Sequence, residues 1–335
     1  MVRPAIALIG AGLVGSRHAT EAVAQATLCA IADPSAAARD LASKLDVPHF
    51  DDPATCLAAM RPAGAVIATP NNLHADHTLL CVKEGIPCLV EKPVADTLEN
   101  ATRIADAAEN SGIPVLVGHH RRHSPIVARA KAEIESGALG EITAVSGQFW
   151  LYKPDDYFAA SWRSGPGAGP SMINAIHDVD LLRYLCGPII EVQAMRSAKR
   201  RGRATEDTAA VLLRFENGAL GTFSLSDTVV APFSWEMSSG ENPVYPHVPG
   251  ACYMIGGTQA SLQVPDLKIW HHNGPRSWWN PIHSTQLDAP QGDAFSLQFA
   301  HFLDVIAGTP PLVSADEGRA SLAIVLDILQ TPLLS

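Results

Sequence analysis

The chain has 335 residues, 47% hydrophobic and 17% charged, the composition of a globular protein long enough for two domains. With 24 Lys+Arg against 34 Asp+Glu the formal net charge is −10, which argues against a general polyanion binder, and the Lys199-Arg200-Arg201 and Arg203 cluster is too short to make nucleic acid an expected partner. No apolar run reaches the roughly 18 residues of a membrane span; six scattered cysteines with no CxxC pair suit a reducing compartment, so a cytoplasmic protein is expected.

From the N-terminus, short apolar runs at 5–9, 28–32, 65–68, 88–90 and 114–117 read as buried strands. Between them, 16–26, 36–45, 54–60, 75–84 and 98–110 read as helices, punctuated by Asp52-Pro53, Gly85 and Gly112. Strands alternating with helices predict a parallel, doubly wound sheet over residues 1–122. After Arg122 the pattern changes. A helix at 125–136 leads into longer alternating strands at 141–150, 189–197, 208–215 and 219–227, with Asn217-Gly218 as a hairpin turn. A helix at 174–185 interrupts them, and shorter strands follow at 252–255, 261–264 and 267–270; residues 232–249 read as a loop. Helices at 295–307 and 315–329 close the chain. Residues 123–335 are therefore expected to form an α+β domain on a mainly antiparallel sheet, with the closing helices able to pack back on the first domain.

Gly10-Ala11-Gly12-Leu13-Val14-Gly15 is a GxGxxG that follows a strand and opens a helix. Its glycines serve the tight turn, close approach of backbone to a pyrophosphate, and strand–helix packing, while the helix start offers unpaired N–H groups to phosphate. Asp33 ends the next strand, where a carboxylate accepts both ribose hydroxyls and repels a 2′-phosphate. NAD is thus favoured, with NADP kept open because Ser35 and Arg39 lie close enough to serve a phosphate. Thr69-Pro70-Asn71-Asn72-Leu73-His74 and Glu91-Lys92-Pro93 both follow strands at their carboxyl ends, where ligands bind in open α/β sheets. Further on, a glycine-rich run 165–170 precedes Asn174, His177, Asp178 and Asp180. Asn174 and His177 share a helix face, Asp180 lies near it and can orient the imidazole, and the glycines permit close backbone contact with a substrate or the other domain.

These motifs, with Ala32-Asp33-Pro34 and Val117-Gly118-His119-His120-Arg121-Arg122, resemble the Gfo/Idh/MocA oxidoreductases over nearly the whole chain. The resemblance implies a Rossmann domain followed by a domain with a large open sheet that commonly forms dimer or tetramer contacts. It also implies that Lys92 contacts substrate and cofactor and that His177 is the acid/base residue, with Gly10, Gly12, Leu13, Val14, Gly15, Asp33, Thr69, Asn71, His74 and Glu91 around the cofactor. Many members carry an aspartate four residues before the histidine and a glycine two before it; here Ile173 and Ala175 stand there, with Asn174 between them. Asn cannot transfer a proton but can orient a hydroxyl.

The expected reaction is hydride transfer between a carbinol carbon and NAD(P), with His177 as base and Lys92 stabilising the developing alkoxide, or with Lys92 as the proton carrier and His177 orienting the substrate. Arg121, Arg122 and Arg163, with Trp150, Tyr152, Tyr157 and Trp162, cluster in sequence around the expected interdomain cleft. They suit a carboxylated substrate such as a sugar acid or cyclic diol carboxylate; salt bridges between the domains would use Arg121 and Arg122 instead, and a neutral sugar or polyol stays open. Two rival classes stand beside it. A metal enzyme built on His119, His120, His123 and His177 has no ligand spacing to support it, so no metal is expected. A non-catalytic NAD(P)-sensing regulator would share the fold but would not need Lys92 with His177.

Overall fold

A computed structural model describes residues 3–159, 163, 165, 168–288 and 291–334. The chain divides into two compact units, Met1–His120 with Phe295–Leu322, and Arg121–Ala294 with Ala323–Ser335.

In the first unit the elements are β1 (Ala5–Ile9), α1 (Leu13–Gln25), β2 (Thr27–Ala32), α2 (Ala36–Lys44), β3 (His49–Phe50), α3 (Pro53–Met60), β4 (Gly64–Ile67), α4 (His74–Lys83), β5 (Cys88–Val90), α5 (Leu98–Ser111) and β6 (Val115–Val117). All six strands are parallel in the order β3-β2-β1-β4-β5-β6. The near-continuous apolar runs of β1, β4, β5 and β6 are buried because helices cover both faces of such a sheet. Local chemistry starts the helices: Ser35, Asp52 and Thr97 each accept a backbone N–H of the first turn, and Pro53 opens α3. The strand order reverses between β1 and β4, which opens a crevice at their carboxyl ends.

In the second unit, α6 (Pro125–Glu135) is followed by β7 (Ile142–Trp150), a 3-10 turn at Asp155–Ala159 and a π-helical turn at Ser171–Ala175. Then come α7 (Ile176–Cys186), β8 (Ile189–Ser197), β9 (Thr208–Phe215), β10 (Leu220–Ser226), α8 (Trp235–Ser238), β11 (Tyr253–Gly257), β12 (Ala260–Val264), β13 (Lys268–His271) and β14 (His283–Gln286). The chain ends with α9 (Ala294–Ile306), α10 (Ala315–Gln330) and β15 (Leu333–Leu334). The nine strands are ordered β14-β13-β12-β11-β7-β10-β9-β8-β15, antiparallel except for β7 with β10 and β8 with β15.

Alternation in β9 buries Ala209, Val211, Leu213 and Phe215 on the core face and turns Ala210, Leu212 and Arg214 outward. Sequence reading missed β3 and β15, of two residues each, the single turn α8, and β14, whose four residues are all exposed. None of these carries an apolar period long enough to register. The helix expected from 174 also begins later, at Ile176, because a π-turn precedes it. All six cysteines are free thiols. Among the described residues no helix is long and apolar enough to cross a membrane.

Candidate functional site

In the first unit the glycine loop leaves β1 and enters α1 at the crevice. Gly10 has φ +91°, and a Cβ there would fall 2.6 Å from Thr69 N. One on Gly15 would meet Gly10 O at 2.1 Å, so strand and helix touch through backbone alone. At Gly12 nothing lies within 4 Å of the missing Cβ, and the Leu13 side chain beside it is 83% exposed. The loop is thus a tight backbone cradle with open space on its outer side, the shape a pyrophosphate needs.

Asp33 follows β2. Its Oδ2 accepts Ala11 N–H and its Oδ1 accepts Ser35 N–H, each at 2.8 Å, so the carboxylate also fixes the loop. Partial burial pushes this carboxyl up, but the two N–H groups, the Ser35 hydroxyl and nearby His49 outweigh it and hold the group below its usual range. Four lone-pair sites leave room for ribose hydroxyls beside the two bonds.

The loops after β4 and β5 are joined by His74. Its ring is 1% exposed, with Nδ1 2.7 Å from Pro93 O and Nε2 2.8 Å from Thr69 O. Burial lowers its pKa, against the pull of the two carbonyl contacts. The expected cofactor contact at His74 is therefore placed beneath the surface, as a tie between the loops. Thr69 is half-buried, with Oγ1 3.2 Å from His77 Nδ1, and Asn71 is exposed at the start of a 3-10 turn.

Glu91 also points inward. Its Oε1 lies 2.8 Å from His18 Nε2 on α1 and its Oε2 accepts the Lys92 N–H at 3.2 Å. Burial raises the Glu91 carboxyl, but the His18 hydrogen bond and the charges of His18, His120 and Lys92 bring it below the ordinary value. The backbone of Lys92 is thereby fixed at the carboxyl end of β5, with its side chain half-buried.

In the second unit His177 is 7% exposed on the first turn of α7. Single π-turns inside helices recur at functional sites, and this one carries Asn174. The approach to it is set by Glu206, whose Oε1 accepts Ser171 N–H at 3.0 Å and whose Oε2 accepts Arg196 at 3.1 Å. A Cβ on Gly169 would lie 2.3 Å from that carboxylate. The close contact expected at the glycine-rich run is, at Gly169, made with Glu206. Asn174 Oδ1 accepts Lys153 Nζ at 2.6 Å.

Arg121 donates to Asp178 at 2.9 Å and to Glu236 at 2.7 Å, and Tyr253 donates its hydroxyl to Asp178. Arg122 donates to both oxygens of Asp180, at 2.8 and 2.7 Å. Both arginines are buried and paired to acids beyond residue 122, the salt bridges expected as the alternative to a substrate carboxylate; because the chain divides just before Arg121, these pairs lie inside this unit. Asp180, expected to orient His177, receives Arg122 on both oxygens. Arg163 stacks on Tyr157, 4.3 Å from the ring centroid, and donates to Tyr157 O. Trp162 lies outside the described residues. Among the described residues no group of three His, Cys, Asp or Glu side chains is placed to hold a metal ion.

Sequence reading missed His18, Glu236, Tyr253 and Lys153. Only Lys153 carried a signal: like Lys92 it stands before a proline just after a strand.

A parallel six-stranded sheet with a glycine cradle and an acidic residue just after its second strand defines a Rossmann-type dinucleotide-binding protein carrying an appended α+β unit. The family profile described as "Oxidoreductase family, NAD-binding Rossmann fold" matches residues 5–119, and that of the "GFO/IDH/MocA C-terminal domain" matches residues 127–262. The chain belongs to the GFO/IDH/MocA oxidoreductase family, and its first unit is an NAD-binding Rossmann fold. It is 33% identical over 190 residues to the rhizopine catabolism protein MocA of Rhizobium meliloti, covering 56% of this chain and 58% of that protein. It is 30% identical over 224 residues to inositol 2-dehydrogenase 2 of Saccharopolyspora erythraea, covering 64% of each. In both cases the match spans less than two thirds of the relative's length. The fold is similar to that of the WlbA dehydrogenase of Bordetella pertussis, solved in complex with NADH and UDP-GlcNAcA, with TM-score 0.78, 24% identity and coverage of 98% of this chain and 96% of that one.

Proposed function

We propose that this protein is an NAD-dependent dehydrogenase moving hydride between the nicotinamide and a secondary hydroxyl or carbonyl of a polyol, sugar, sugar acid or cyclic diol carboxylate. The observation that carries the reading is the open glycine cradle bound to the Asp33 carboxylate, in the same unit as a half-buried lysine whose backbone Glu91 fixes at the end of β5. The inositol 2-dehydrogenase and the NADH-bound WlbA dehydrogenase among similar proteins support it. A non-catalytic NAD-sensing protein shares the cradle but gives Lys92 and His177 no role.

NAD held by Gly10, Gly12, Leu13, Val14, Gly15, Asp33, Thr69 and Asn71 supplies the hydride acceptor. Lys92 donates from Nζ to the substrate oxygen and stabilises negative charge as it develops there. His177 accepts the hydroxyl proton, and Asn174 orients the hydroxyl without transferring a proton. Glu91 and His74 act on the cofactor region indirectly, by holding the Lys92 and Thr69 loops.

Self-association through the outer face of the second sheet belongs to the same reading. Leu212, Thr222, Ser146 and Met254 stand in one row across four strands, beside a shallow hollow of about 560 Å³. Leu220 on that face is 62% exposed, so a homodimer or homotetramer would remove a flat, largely uncharged surface from water. Six free cysteines support a cytoplasmic location.

The first experiment titrates NAD(H) and NADP(H) by nucleotide fluorescence, then follows absorbance of the reduced nicotinamide over polyols, sugars, sugar acids and dihydrodiol carboxylates. Tight NADH binding with turnover on one class is expected; absence of nucleotide binding overturns the proposal. Asp33→Ser is expected to lower the NAD-to-NADP affinity ratio by about tenfold or more, because a charged hydrogen-bond acceptor is worth roughly 1.5–3 kcal/mol and its repulsion of a 2′-phosphate is lost. An unchanged ratio would remove Asp33 from ribose recognition.

A further inference from the structure

A lysine ammonium withdrawn from water needs groups that hold its charge, and Lys153, at 6% exposed, is among the few buried cations of the second unit. It lies just past β7, and its backbone is locked from both sides: its N–H donates to Asp227 O at 2.9 Å and its carbonyl accepts Arg201 Nη2 at 2.8 Å. The direction of the side chain is thereby set. Nζ reaches Asn174 Oδ1 at 2.6 Å, three residues before His177, and lies 4.9 Å from the Tyr157 ring centroid and 5.9 Å from that of Phe149.

Three arginines join it on the same turn. Arg163 sits 4.3 Å over Tyr157, while Arg201 and Arg203 sit 4.4 and 3.5 Å over Phe158, and the two rings are 5.0 Å apart. Asp227 takes Arg201 at 2.7 Å. Arg203 Nη1 is buried and makes no hydrogen bond among the described residues. Cations stacked on aromatic faces keep donors directed outward from the ring edge, and Lys153, Arg163 and Arg203 together favour an anion, while Asp227 and Asp155 face Arg201.

We propose that Lys153 is a specificity-determining residue of the substrate site. Its ammonium, set by Asn174, binds a carboxylate on the substrate, with Arg163 and Arg203 contributing charge. The substrates are then hydroxy acids, cyclic or open-chain, in preference to neutral polyols and sugars. This rests on the reading of His177 as the residue that meets the reacting hydroxyl, since Asn174 ties Lys153 to the turn before it.

The test uses the full chain saturated with NADH and two matched pairs, quinate with myo-inositol and glucuronate with glucose, with affinities read by calorimetry. The wild type is expected to bind the acid of at least one pair ten or more times more tightly, with an advantage that shrinks as salt rises. Lys153→Met should lower that acid-to-neutral ratio at least tenfold, and Lys153→Arg should recover part of it. A merely structural role would weaken both members equally and lower the melting temperature of both variants. No acid preference in either pair, including no binding at all, or a ratio unchanged in Lys153→Met, overturns the proposal. NADH binding with turnover of neutral polyols alone would leave the dehydrogenase reading intact and remove this one.

Discussion

Lys92→Met is expected to lower kcat by about 10²–10³-fold, the loss typical of removing one preorganised charge donor from a developing oxyanion. NADH affinity should stay within a few-fold, because the cradle and Asp33 are untouched. The size of the effect follows from how firmly the residue is placed. Glu91 binds the Lys92 N–H and is itself bound by His18, while His74 joins the following Pro93 carbonyl to the Thr69 loop. His177→Ala should cost about 10²–10⁴-fold and flatten the pH dependence of kcat, as removal of a general base does. Steady-state kinetics on the substrate found by the panel, with nucleotide titrations alongside, decide the matter. A wild-type rate in Lys92→Met would mean that the proton and charge are handled elsewhere.

The second large effect is on stability. Arg121→Met is expected to destabilise the protein by about 3–5 kcal/mol, because it leaves two acids, Asp178 and Glu236, without their shared cation in a dry interior. Burial works against the charge on Arg121, yet Glu236 and Asp178 outweigh it and hold the guanidinium protonated. One cation between two carboxylates leaves an excess of negative charge. Burial chiefly, with Glu236 nearby, accordingly pushes the Asp178 carboxyl up to about 6, against the pull of Arg121 and the Tyr253 hydroxyl. The sign of the pH effect follows from this. Unfolded, the carboxyl titrates near 3.9, so from about pH 4 to pH 6 the folded chain keeps a proton that the unfolded chain has lost. This group's contribution is greatest below pH 4 and is given up as pH rises to 6, on the order of 3 kcal/mol in all. Denaturant melts of wild type and Asp178→Asn should differ by about this amount in the total stability change across that range. Parallel curves would show that Asp178 titrates normally.

Much of the first unit was legible because its determinants are contiguous. A βα turn places Gly10, Gly12 and Gly15 within six residues, and the strand that ends at Asp33 is the next one along, so no distant packing has to be known. The same holds for Lys92, whose position at the end of β5 is a matter of counting from an apolar run. The orientation of side chains inside those motifs was not legible. Glu91 and His74 sit in the cofactor motifs by sequence, but which way they face depends on α1 and on the Pro93 loop, 73 and 19 residues away.

The second unit makes the contrast sharper. The sequence singled out Arg121, Arg122, Asn174, His177, Asp178 and Asp180 as candidates, and the motifs that hold them carried the resemblance to a family of oxidoreductases. Only the tertiary structure decided that Arg121 meets Asp178 across 57 residues and Arg122 meets Asp180 across 58, and that Lys153 reaches Asn174 across 21. Local propensity sets the period of each helix and strand, but the partner of a buried charge is chosen by the rotation and packing of whole elements against one another. That choice is made by the cost of leaving any such charge alone in the interior, which no short stretch of sequence contains.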